Sequence, residues 1–551
     1  PAVTTIAMSA GAKRLLAKKV LVNKLNAIQN LGEVDLLCTD KTGTITEGTI
    51  EVSEILNAAG EADEFVRELA YWNAVYQSGY SNPIDEALKR MPARPQMHAA
   101  KTGELPYDFQ RKRLSICIQS DDRHYLVTKG AFKELLDCCT RVRLGNETIG
   151  EIQTEKNKLN NLFAQFGNNG LRAIGVAYKE IKNADVAVSD ESDMIFAGFV
   201  LLQDPVKAGI TEVIAGLKQL KVNIKIITGD NRNIARSIAL KLGIADPVII
   251  AGEELTGIEP EMLAEKVKHT HIFAEMEPRQ KEQVIKTLKI SSTVAYMGDG
   301  INDVSALNAA DVGISVENAA DVAREAADFV LMEKDLSVLA EGVKEGRKTF
   351  ANTMKYLYIS TGSTFGNMIS MAVASFLLPF LPMLPKQILL TNFITDFPYL
   401  AIPSDTVDTE LVEKPGKWDM SLIRKYTIIF GIHSTLFDII TFLVLLYILK
   451  AREAAFQTGW FIESVITELL ILFIIRTHQS FFKSSPYQPL ILLSIIAVMA
   501  TLALPYLPFA SDMGFVHLPL LNLGIMLGIV LLYILTADWL KVWFFKKYQS
   551  A

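Results

Sequence analysis

The stretch CTDKTGTITEG, residues 38–48, decides the fold because it places an aspartate at the end of an apolar run. The run VDLLCTD at 34–40 is aliphatic and has the length of a buried strand. Asp40 ends it and is followed by lysine, threonines and glycines, residue types that suit a carboxylate taking up a phosphoryl group. Such chemistry needs partners elsewhere in the chain.

Two further apolar runs end in acids or hydroxyls, namely NIKIITGD at 223–230 and STVAYMGDG at 292–300. Each predicts a buried parallel strand followed by a helix. In an open α/β sheet the carboxyl ends of the strands form the ligand crevice. The sequence therefore predicts that Asp40, Thr228 and Asp299 converge on one point.

The chemistry of these side chains assigns them roles in phosphoryl transfer. Asp40 can attack the γ-phosphorus of ATP and form an aspartyl phosphate. A carboxylate facing a polyanionic nucleotide needs positive charge, which Mg²⁺ held by Asp299, with Asp303 as support, supplies. The remaining predicted contacts to the moving phosphoryl group are hydrogen bonds or charge from Thr228, Gly229, Asn302 and Lys281.

The composition of the 551-residue chain limits its class. A hydrophobic content of 50% and a mean hydropathy of +0.23 are too high for a purely soluble protein. A net charge of −6 gives no basic footprint, so nucleic acid is not expected as a partner. The four cysteines have no disulfide or zinc spacing, which fits a reducing cytosol.

The apolar residues concentrate after position 350, in runs long enough to cross a bilayer as helices. Six crossings are predicted, at about 356–380, 386–403, 426–449, 459–476, 487–508 and 519–540. Lysine and arginine are more frequent in the turns on one side, which indicates that this side is cytosolic. The sequence thus predicts a multi-pass protein of the cell membrane, with its polar domains in the cytoplasm and the lipid bilayer as a partner.

Polar residues inside these apolar runs are candidates for an ion site because they are costly in a membrane. The first two crossings carry Thr364, Asn367, Asn392, Thr395 and Asp396. Pro398 in the second crossing removes a backbone hydrogen bond and can free a carbonyl oxygen as a ligand. Oxygen donors of this kind suit Mg²⁺ or Ca²⁺.

The later crossings hold three more acids. Of Asp438, Glu463 and Glu468, we expect Glu468 to join the ion site, whereas Asp438 is expected to pair with another helix. His433 is expected to be packed or hydrogen-bonded and not a ligand.

The motifs DKTGT, TGD and GDGxND, with AIQNLGEVD upstream, resemble those of the P-type ATPases, which have a haloacid-dehalogenase-like fold. The resemblance covers nearly the whole chain. It implies catalytic roles for Asp40, Lys41, Thr42, Thr228, Gly229, Asp230, Lys281 and Asn302. It implies a Mg²⁺ site of Asp40, Thr42, Asp299 and Asp303.

The region between the first two strands resembles the family's nucleotide-binding domain in the segments YDFQRKRLS (107–115), VTKGAFKE (127–134) and GLRAIGVAYK (170–179). By that match Phe109 would stack on adenine, Lys129 would border the pocket, Arg172 would reach the phosphates and Asp204 would contact the ribose. The residues implied to bind ATP are Asp85, Phe109, Arg111, Lys129, Gly130, Arg172 and Asp204.

The resemblance implies an α/β haloacid-dehalogenase-like phosphorylation domain with an inserted α+β nucleotide domain and an all-α membrane domain of six helices. The expected ranges are 1–24 for the end of a membrane helix and its stalk, 25–48 and 201–350 for phosphorylation, 49–200 for nucleotide binding and 351–551 for the membrane. The family's actuator domain and first membrane helices are expected to lie outside this chain.

Three functions stay open. The membrane segments look most like the bacterial magnesium-importing P-type ATPases, whereas NxxTD at 392–396 is similar to calcium pumps and PAVTTIAMSAGAKRL at 1–15 to proton pumps. A membrane-anchored phosphohydrolase of the haloacid-dehalogenase type would carry an acid two residues after Asp40, where Thr42 stands. A catalytically silent membrane scaffold is disfavoured by the intact set of acidic residues.

Overall fold

The computed structural model describes residues 2–79, 82–91, 99–120, 123–145, 148–182, 186–332 and 337–548. In these residues the chain forms two eight-stranded sheets and a group of long helices. The elements up to residue 203 are α1 (Ala2–Ala17), β1 (Val20–Val22), α2 (Ala27–Glu33), β2 (Leu36–Thr39), β3 (Glu51–Asn57), α3 (Glu64–Tyr76), α4 (Pro83–Lys89), β4 (Ala99–Asp108), β5 (Arg113–Ser120), β6 (Arg123–Ala131), α5 (Phe132–Leu136), β7 (Cys139–Arg143), β8 (Ile149–Glu151), α6 (Ile152–Asn168), β9 (Arg172–Ile181) and β10 (Met194–Gln203).

Strands and helices then alternate regularly. These elements are α7 (Ile210–Gln219), β11 (Asn223–Ile227), α8 (Arg232–Lys241), β12 (Ile249–Ala251), α9 (Pro260–His269), β13 (Ile272–Ala274), α10 (Pro278–Leu288), β14 (Val294–Met297), α11 (Val304–Ala309), β15 (Val312–Val316), α12 (Asp321–Ala326) and β16 (Phe329–Leu331). The remaining helices are α13 (Ser337–Leu377), α14 (Pro385–Tyr399), α15 (Thr409–Glu413), α16 (Met420–Leu443), α17 (Glu453–Ile475), α18 (Gln488–Ala503) and α19 (Leu520–Tyr548).

The first sheet has the strand order β1-β16-β15-β14-β2-β11-β13-β12. All of its pairs are parallel except β1 with β16. The three strands predicted from apolar runs, β2, β11 and β14, are neighbours with β2 in the middle, so that prediction is confirmed. β1 lies in the segment expected to be a stalk and is an additional edge strand that sequence reasoning missed.

The second sheet contains the strands from β3 to β10, in the order β4-β5-β6-β9-β10-β7-β8 with β3 paired to β10. One face packs a cluster that includes Val66, Leu69 and Val127. The other face packs a cluster that includes Phe132 and Phe196. Because both faces are covered, the central strand β10 is buried almost throughout and shows no alternation of polar and apolar residues.

The helix α13 joins the first sheet to the helical region. It has 41 residues and is therefore about 60 Å long. Helix α2 packs against it at Gly32 and Gly346, where a Cβ on Gly32 would lie 2.8 Å from the carbonyl oxygen of Gly346. The two backbones are in direct contact, and only glycine fits at either position.

Four helical segments among the described residues are long and apolar enough to cross a membrane: Met420–Ile448, Glu453–Ile475, Gln488–Tyr506 and Leu520–Tyr548. They correspond to the last four predicted crossings. The first predicted crossing lies in α13, where threonine, serine and asparagine lower the hydropathy, and the second lies in α14, which has only 15 residues. The count of six therefore stays a prediction.

Candidate functional site

The carboxyl ends of β14, β2 and β11 bring the first group of predicted residues together. Thr39, the last residue of β2, is in register with Met297 of β14 and with Ile226 of β11. The amide of Asp40 donates a hydrogen bond of 2.9 Å to the carbonyl of Met297, which fixes the chain as it leaves the sheet. The predicted convergence of the three strand ends is confirmed.

The turn after Asp40 depends on Gly43. Gly43 has a φ of 71°, in the left-handed region, and a Cβ there would lie 2.1 Å from Oδ2 of Asp299. A side chain at this position would thus clash with the acid that follows β14. Lys207 donates a hydrogen bond of 2.8 Å to the carbonyl of Gly43 and holds the turn in place.

Lys281, at the start of α10, is buried between two aspartates. Its Nζ lies 2.9 Å from Oδ2 of Asp40 and 2.7 Å from Oδ1 of Asp303. Burial acts to lower the pKa of Lys281, but the two carboxylates outweigh this effect and its pKa lies above the ordinary value. Lys281 therefore stays a cation beside Asp40.

The carboxyl group of Asp40 is almost enclosed and accepts a second hydrogen bond, of 2.6 Å, from the amide of Lys41. The pKa of Asp40 is raised to about 6. Burial is the largest cause and raises it, Lys281 lowers it, and the charge of Asp303 raises it. Asp40 is thus ionised at neutral pH but close to its titration range, in a site where a carboxylate is weakly solvated and able to act as a nucleophile.

Asp303 is a supporting residue in this arrangement. Its Oδ1 accepts hydrogen bonds from Lys281 and from the hydroxyl of Tyr296 (2.7 Å), and its Oδ2 accepts one of 3.2 Å from the amide of Gly300. Both oxygens of Asp303 have protein donors, so Asp303 holds Lys281 in position in this structure. Its expected part in supporting Mg²⁺ stays a prediction. Tyr296, inside β14, was missed because it reads as a core residue.

A second ion network surrounds Lys41. Its Nζ lies 2.8 Å from Asp230 and 3.3 Å from Asp204, so Asp204 is beside the loop that follows Asp40. Asp204 is not among the described residues that line the cavity beside the second sheet, and its expected contact with the ribose stays a prediction. Asp204 also accepts hydrogen bonds from Thr46 Oγ1 (2.6 Å) and from the amide of Gly48 (3.0 Å). It anchors both ends of the loop that follows Asp40.

The predicted phosphoryl-binding residues have different exposures. Thr228 is buried, and its hydroxyl accepts a hydrogen bond of 3.1 Å from the amide of Asp230. Gly229 and Asn302 are exposed at the rim of the same strand ends, and so is Thr42 of the expected catalytic set. An exposed rim above a buried carboxylate leaves room for an incoming phosphoryl group.

The residues around Asp40 fit a Mg²⁺ ion that is shared with the phosphates of a nucleotide. No group of three or more histidine, cysteine or acidic residues that could hold a metal occurs in the part of the chain that the structure describes. Asp299 is half-buried at the strand end, and burial together with Asp303 raises its pKa. One or two carboxylates plus substrate phosphates are a common environment for Mg²⁺, so Asp40 and Asp299 fit such an ion.

A cavity of about 1110 Å³ lies beside the second sheet. Five of the seven residues expected to bind ATP line it: Asp85, Phe109, Lys129, Gly130 and Arg172. Phe109 is 86% exposed and packs edge-to-face on Tyr107 with ring centroids 5.4 Å apart. An aromatic face left open in a cavity of this size can stack on a base.

Lys129 and Asp85 form a buried ion pair at the cavity wall. Asp85 also accepts hydrogen bonds from Asn82 (2.7 Å) and Gln77 (3.0 Å). Burial lowers the pKa of Lys129, and Asp85 counteracts this. Gly130 follows on β6, where a Cβ would lie 2.6 Å from the carbonyl of Lys112, so the strand requires glycine at this point.

Arg111 is not among the cavity-lining residues of the described chain. Its guanidinium instead binds the buried carboxylate of Glu191 at 2.6 Å, together with Arg113 at 2.8 Å. Asn231 and Asn233 of the first-sheet region line the cavity and were missed. Asn231 directly follows the TGD motif in the sequence, and this position next to a predicted catalytic motif could have indicated that it lies near the nucleotide.

The helical region gathers another part of the predicted set around Glu468. Tyr399 donates a hydrogen bond of 3.1 Å to Oε1 of Glu468, and the side chains of Thr395 and Asn367 also interact with this carboxyl group. We call Glu468, Asn367, Thr395 and Tyr399 the Glu468 cluster. Tyr399 was not predicted to join it, since it reads as an interfacial aromatic residue.

Three other predicted ion-site residues, Thr364, Asn392 and Asp396, have exposed side chains in the described chain. Asp396 acts on Glu468 through its charge and is not one of the side chains hydrogen-bonded to that carboxyl group. His433 donates to or accepts from Thr536 Oγ1 at 3.0 Å and packs against Tyr533, as the sequence predicted for a packed residue.

Three family models match the chain. They are described as the C-terminus of cation-transporting ATPases (residues 380–543), the cytoplasmic domain N of P-type ATPases (residues 14–209) and a haloacid dehalogenase-like hydrolase (residues 280–342). These matches confirm the resemblance seen in the motifs and the haloacid-dehalogenase-like fold.

Among curated proteins, the chain is 36% identical over 566 aligned residues to the magnesium-transporting ATPase, P-type 1, of Escherichia coli, covering 100% of this chain and 63% of that protein. The protein of the same name from Salmonella typhimurium is also 36% identical and is covered to 62%. Calcium-transporting ATPase 1 of Bacillus cereus is 31% identical over 75% of this chain and 50% of its own length. The chain thus spans about 63% of the length of the first relatives.

Proposed function

Since this chain belongs to the P-type cation-transporting ATPases, we propose that it works by phosphoryl transfer from ATP to Asp40, and that the transported cation is Mg²⁺. The catalytic parts lie in the cytoplasm and the apolar helices in the membrane. The observation that carries the proposal is the position of Asp40 at the joined ends of three parallel strands, in an ion pair with a buried lysine.

The residues around Asp40 have separate roles in this proposal. Asp40 attacks the γ-phosphorus, its Oδ forms the new P–O bond, and the bond to the β-phosphate oxygen of ATP breaks. Lys281 neutralises charge on the phosphoryl oxygens, and the hydroxyl or amide groups of Thr228 and Gly229 donate hydrogen bonds to them. Mg²⁺ held by Asp40, Asp299 and nucleotide oxygens would offset the charge of the polyphosphate.

The cavity beside the second sheet is the proposed ATP site. Phe109 offers an open ring for the adenine, and Arg172, exposed on β9, offers a cation for the phosphates. Asn231 at the start of α8 lies in the cavity wall and directly follows Asp230, the partner of Lys41. The cavity therefore adjoins the phosphorylation loop. We infer that the second sheet is the nucleotide domain and the first the phosphorylation domain.

Mg²⁺ is preferred over Ca²⁺ for two reasons. The relatives named as magnesium transporters align over the whole chain at 36% identity, whereas the calcium-transporting relative aligns over 75% at 31%. The Glu468 cluster has one carboxylate surrounded by neutral oxygens and an amide, and such a site suits an ion that keeps part of its water shell. A calcium cage would be expected to contain more carboxylates.

The direct test is to incubate the purified protein with γ-labelled ATP and Mg²⁺. We expect a protein-bound label that is stable in acid and is released by hydroxylamine, as an acyl phosphate would be. The label should be absent in Asp40→Asn and present in Asp35→Asn, which changes an acid at the other end of the same strand. Undiminished label in Asp40→Asn would refute the assignment.

A further inference from the structure

Asp438 and Glu463 are two acidic residues inside membrane-spanning helices that the proposed transport mechanism does not use. Asp438 lies on α16 and is 4% exposed, and Glu463 lies on α17 and is 2% exposed. Glu463 precedes Glu468 by five residues, so the two point about 140° apart around the helix. Glu463 and Glu468 therefore face different neighbouring helices.

Asp438 accepts two hydrogen bonds. Ser370 Oγ of α13 donates to Oδ2 at 2.6 Å, and Trp460 Nε1 of α17 donates to Oδ1 at 2.7 Å. An indole N–H only donates, so this partner requires an acceptor oxygen. These two hydrogen bonds favour the ionised form of Asp438, against the effect of its burial.

Glu463 has a different environment. Its Oε2 is buried and has no hydrogen-bond partner among the residues that the structure describes. Its carboxyl group interacts with the charge of Asp438 across the contact between the two helices. Two unscreened negative charges inside a membrane protein are costly, and the usual result is that one of the carboxyl groups takes up a proton.

We propose that Glu463 and Asp438 form a proton-binding site in the membrane, separate from the Glu468 cluster, in which Glu463 holds the proton and Asp438 remains ionised. A metal ion is a poorer occupant because Trp460 directs an N–H donor at Asp438, and such a donor cannot coordinate a cation. The proposal rests on the membrane position of α16 and α17 and is independent of which cation is transported.

One more titratable residue faces this site from α19. Tyr533 interacts with the charges of Asp438, Glu463 and Glu468, and its ring packs on His433, with centroids 5.0 Å apart. Tyr533 thus lies within the electrostatic reach of both acidic sites.

The test is infrared spectroscopy of the full-length protein in lipid at neutral pH, with ¹³C-labelled glutamate to separate glutamic from aspartic acid bands. We expect a C=O band of a protonated glutamic acid that shifts in D₂O and disappears in Glu463→Gln. Glu453→Gln, at the exposed start of the same helix, should retain it. At a pH where the wild type keeps the band, Asp438→Asn should weaken it, because the charge that retains the proton is gone.

Glutamine resembles protonated glutamic acid in shape, so the Glu463→Gln variant should fold. Its elution volume in size-exclusion chromatography and its melting temperature at neutral pH should match those of the wild type. A spectrum in which Glu463→Gln removes no acid band overturns the proposal. A band that appears only after divalent cations are removed also overturns it, since the site would then be a metal site.

Discussion

Lys281 Nζ lies 2.9 Å from Asp40 Oδ2, a contact between residues 241 positions apart in the chain. The same ammonium group is held from the other side by Asp303 at 2.7 Å. The charge state of Asp40, the proposed nucleophile, therefore depends on its burial and on a buried cation beside it. This relationship determines how phosphorylation should respond to pH.

We expect the rate of label transfer from ATP to fall about tenfold per pH unit below pH 6, because burial raises the pKa of Asp40 to about 6 and only the carboxylate attacks. Lys281→Met should move the midpoint of this profile upward, since Lys281 lowers the pKa of Asp40. Lys286→Met removes an exposed pair with Glu282 on the same helix and should leave the midpoint in place. Equal midpoints in Lys281→Met and wild type would contradict the assigned role.

The stability of the protein should also depend on Asp40. A carboxyl group whose pKa is raised on folding stabilises the fold below its unfolded pKa, and that contribution is lost as pH rises through the folded pKa. For Asp40 this window runs from 3.8 to about 6, with an upper bound of about 3 kcal/mol. Asp40→Asn should remove this part of the pH dependence. The measurement is chemical denaturation at several pH values, and an unchanged slope in the variant would be evidence against the shift.

Gly43→Ala should abolish phosphorylation and destabilise the protein. The new Cβ would lie 2.1 Å from Asp299 Oδ2 and the residue would keep a φ of 71°. Gly257→Ala is the matched control, because Gly257 has a φ of 76° with nothing within 4 Å of the added Cβ. The Gly257→Ala control should lower the free energy of unfolding only through backbone strain, by about 1 kcal/mol. Label incorporation and melting temperature distinguish the two, and equal losses would mean that the contact with Asp299 is unimportant.

Phe109→Ala should weaken ATP binding by about 1–3 kcal/mol, the range for stacking of a base on an aromatic side chain. Because Phe109 is 86% exposed, the melting temperature should not fall. Ile149→Ala, at another partly exposed apolar residue of the same sheet, should change neither quantity. Titration with a fluorescent ATP analogue measures the affinity. A drop in stability without a loss of affinity would place Phe109 in the core.

Glu468→Gln should reduce cation-stimulated ATP turnover in the full-length protein while ATP binding persists, because the carboxyl group that Tyr399, Thr395 and Asn367 surround loses its charge. Glu453→Gln, on the same helix, is the control. Assays with Mg²⁺ and Ca²⁺ in parallel separate the two candidate cations. Stimulation of the wild type by Ca²⁺ alone would make the magnesium proposal wrong.

The strand ends and the acids on them could be predicted because each strand end is a short local pattern, an apolar run followed by a polar residue. The partners of those acids were harder to assign, since a contact such as Asp204 with Lys41 depends on how a distant loop returns to the sheet. Arg111 shows the same limit: its motif position indicated a ligand contact, but the buried charge of Glu191, 80 residues later, binds it. Exposure of Asp396 depends on which helices surround α14, and periodicity carries no information on that.

The contact between Gly32 and Gly346 has a mechanical consequence. Side chains between two helices act as a cushion, because they change rotamer and absorb small displacements. Between Gly32 and Gly346 no such layer is present, since the backbones are in direct contact there. A tilt of the sheet that carries Asp40 would therefore move α13 with it. Because α13 is about 60 Å long, a small rotation at one end displaces the other end by several ångströms.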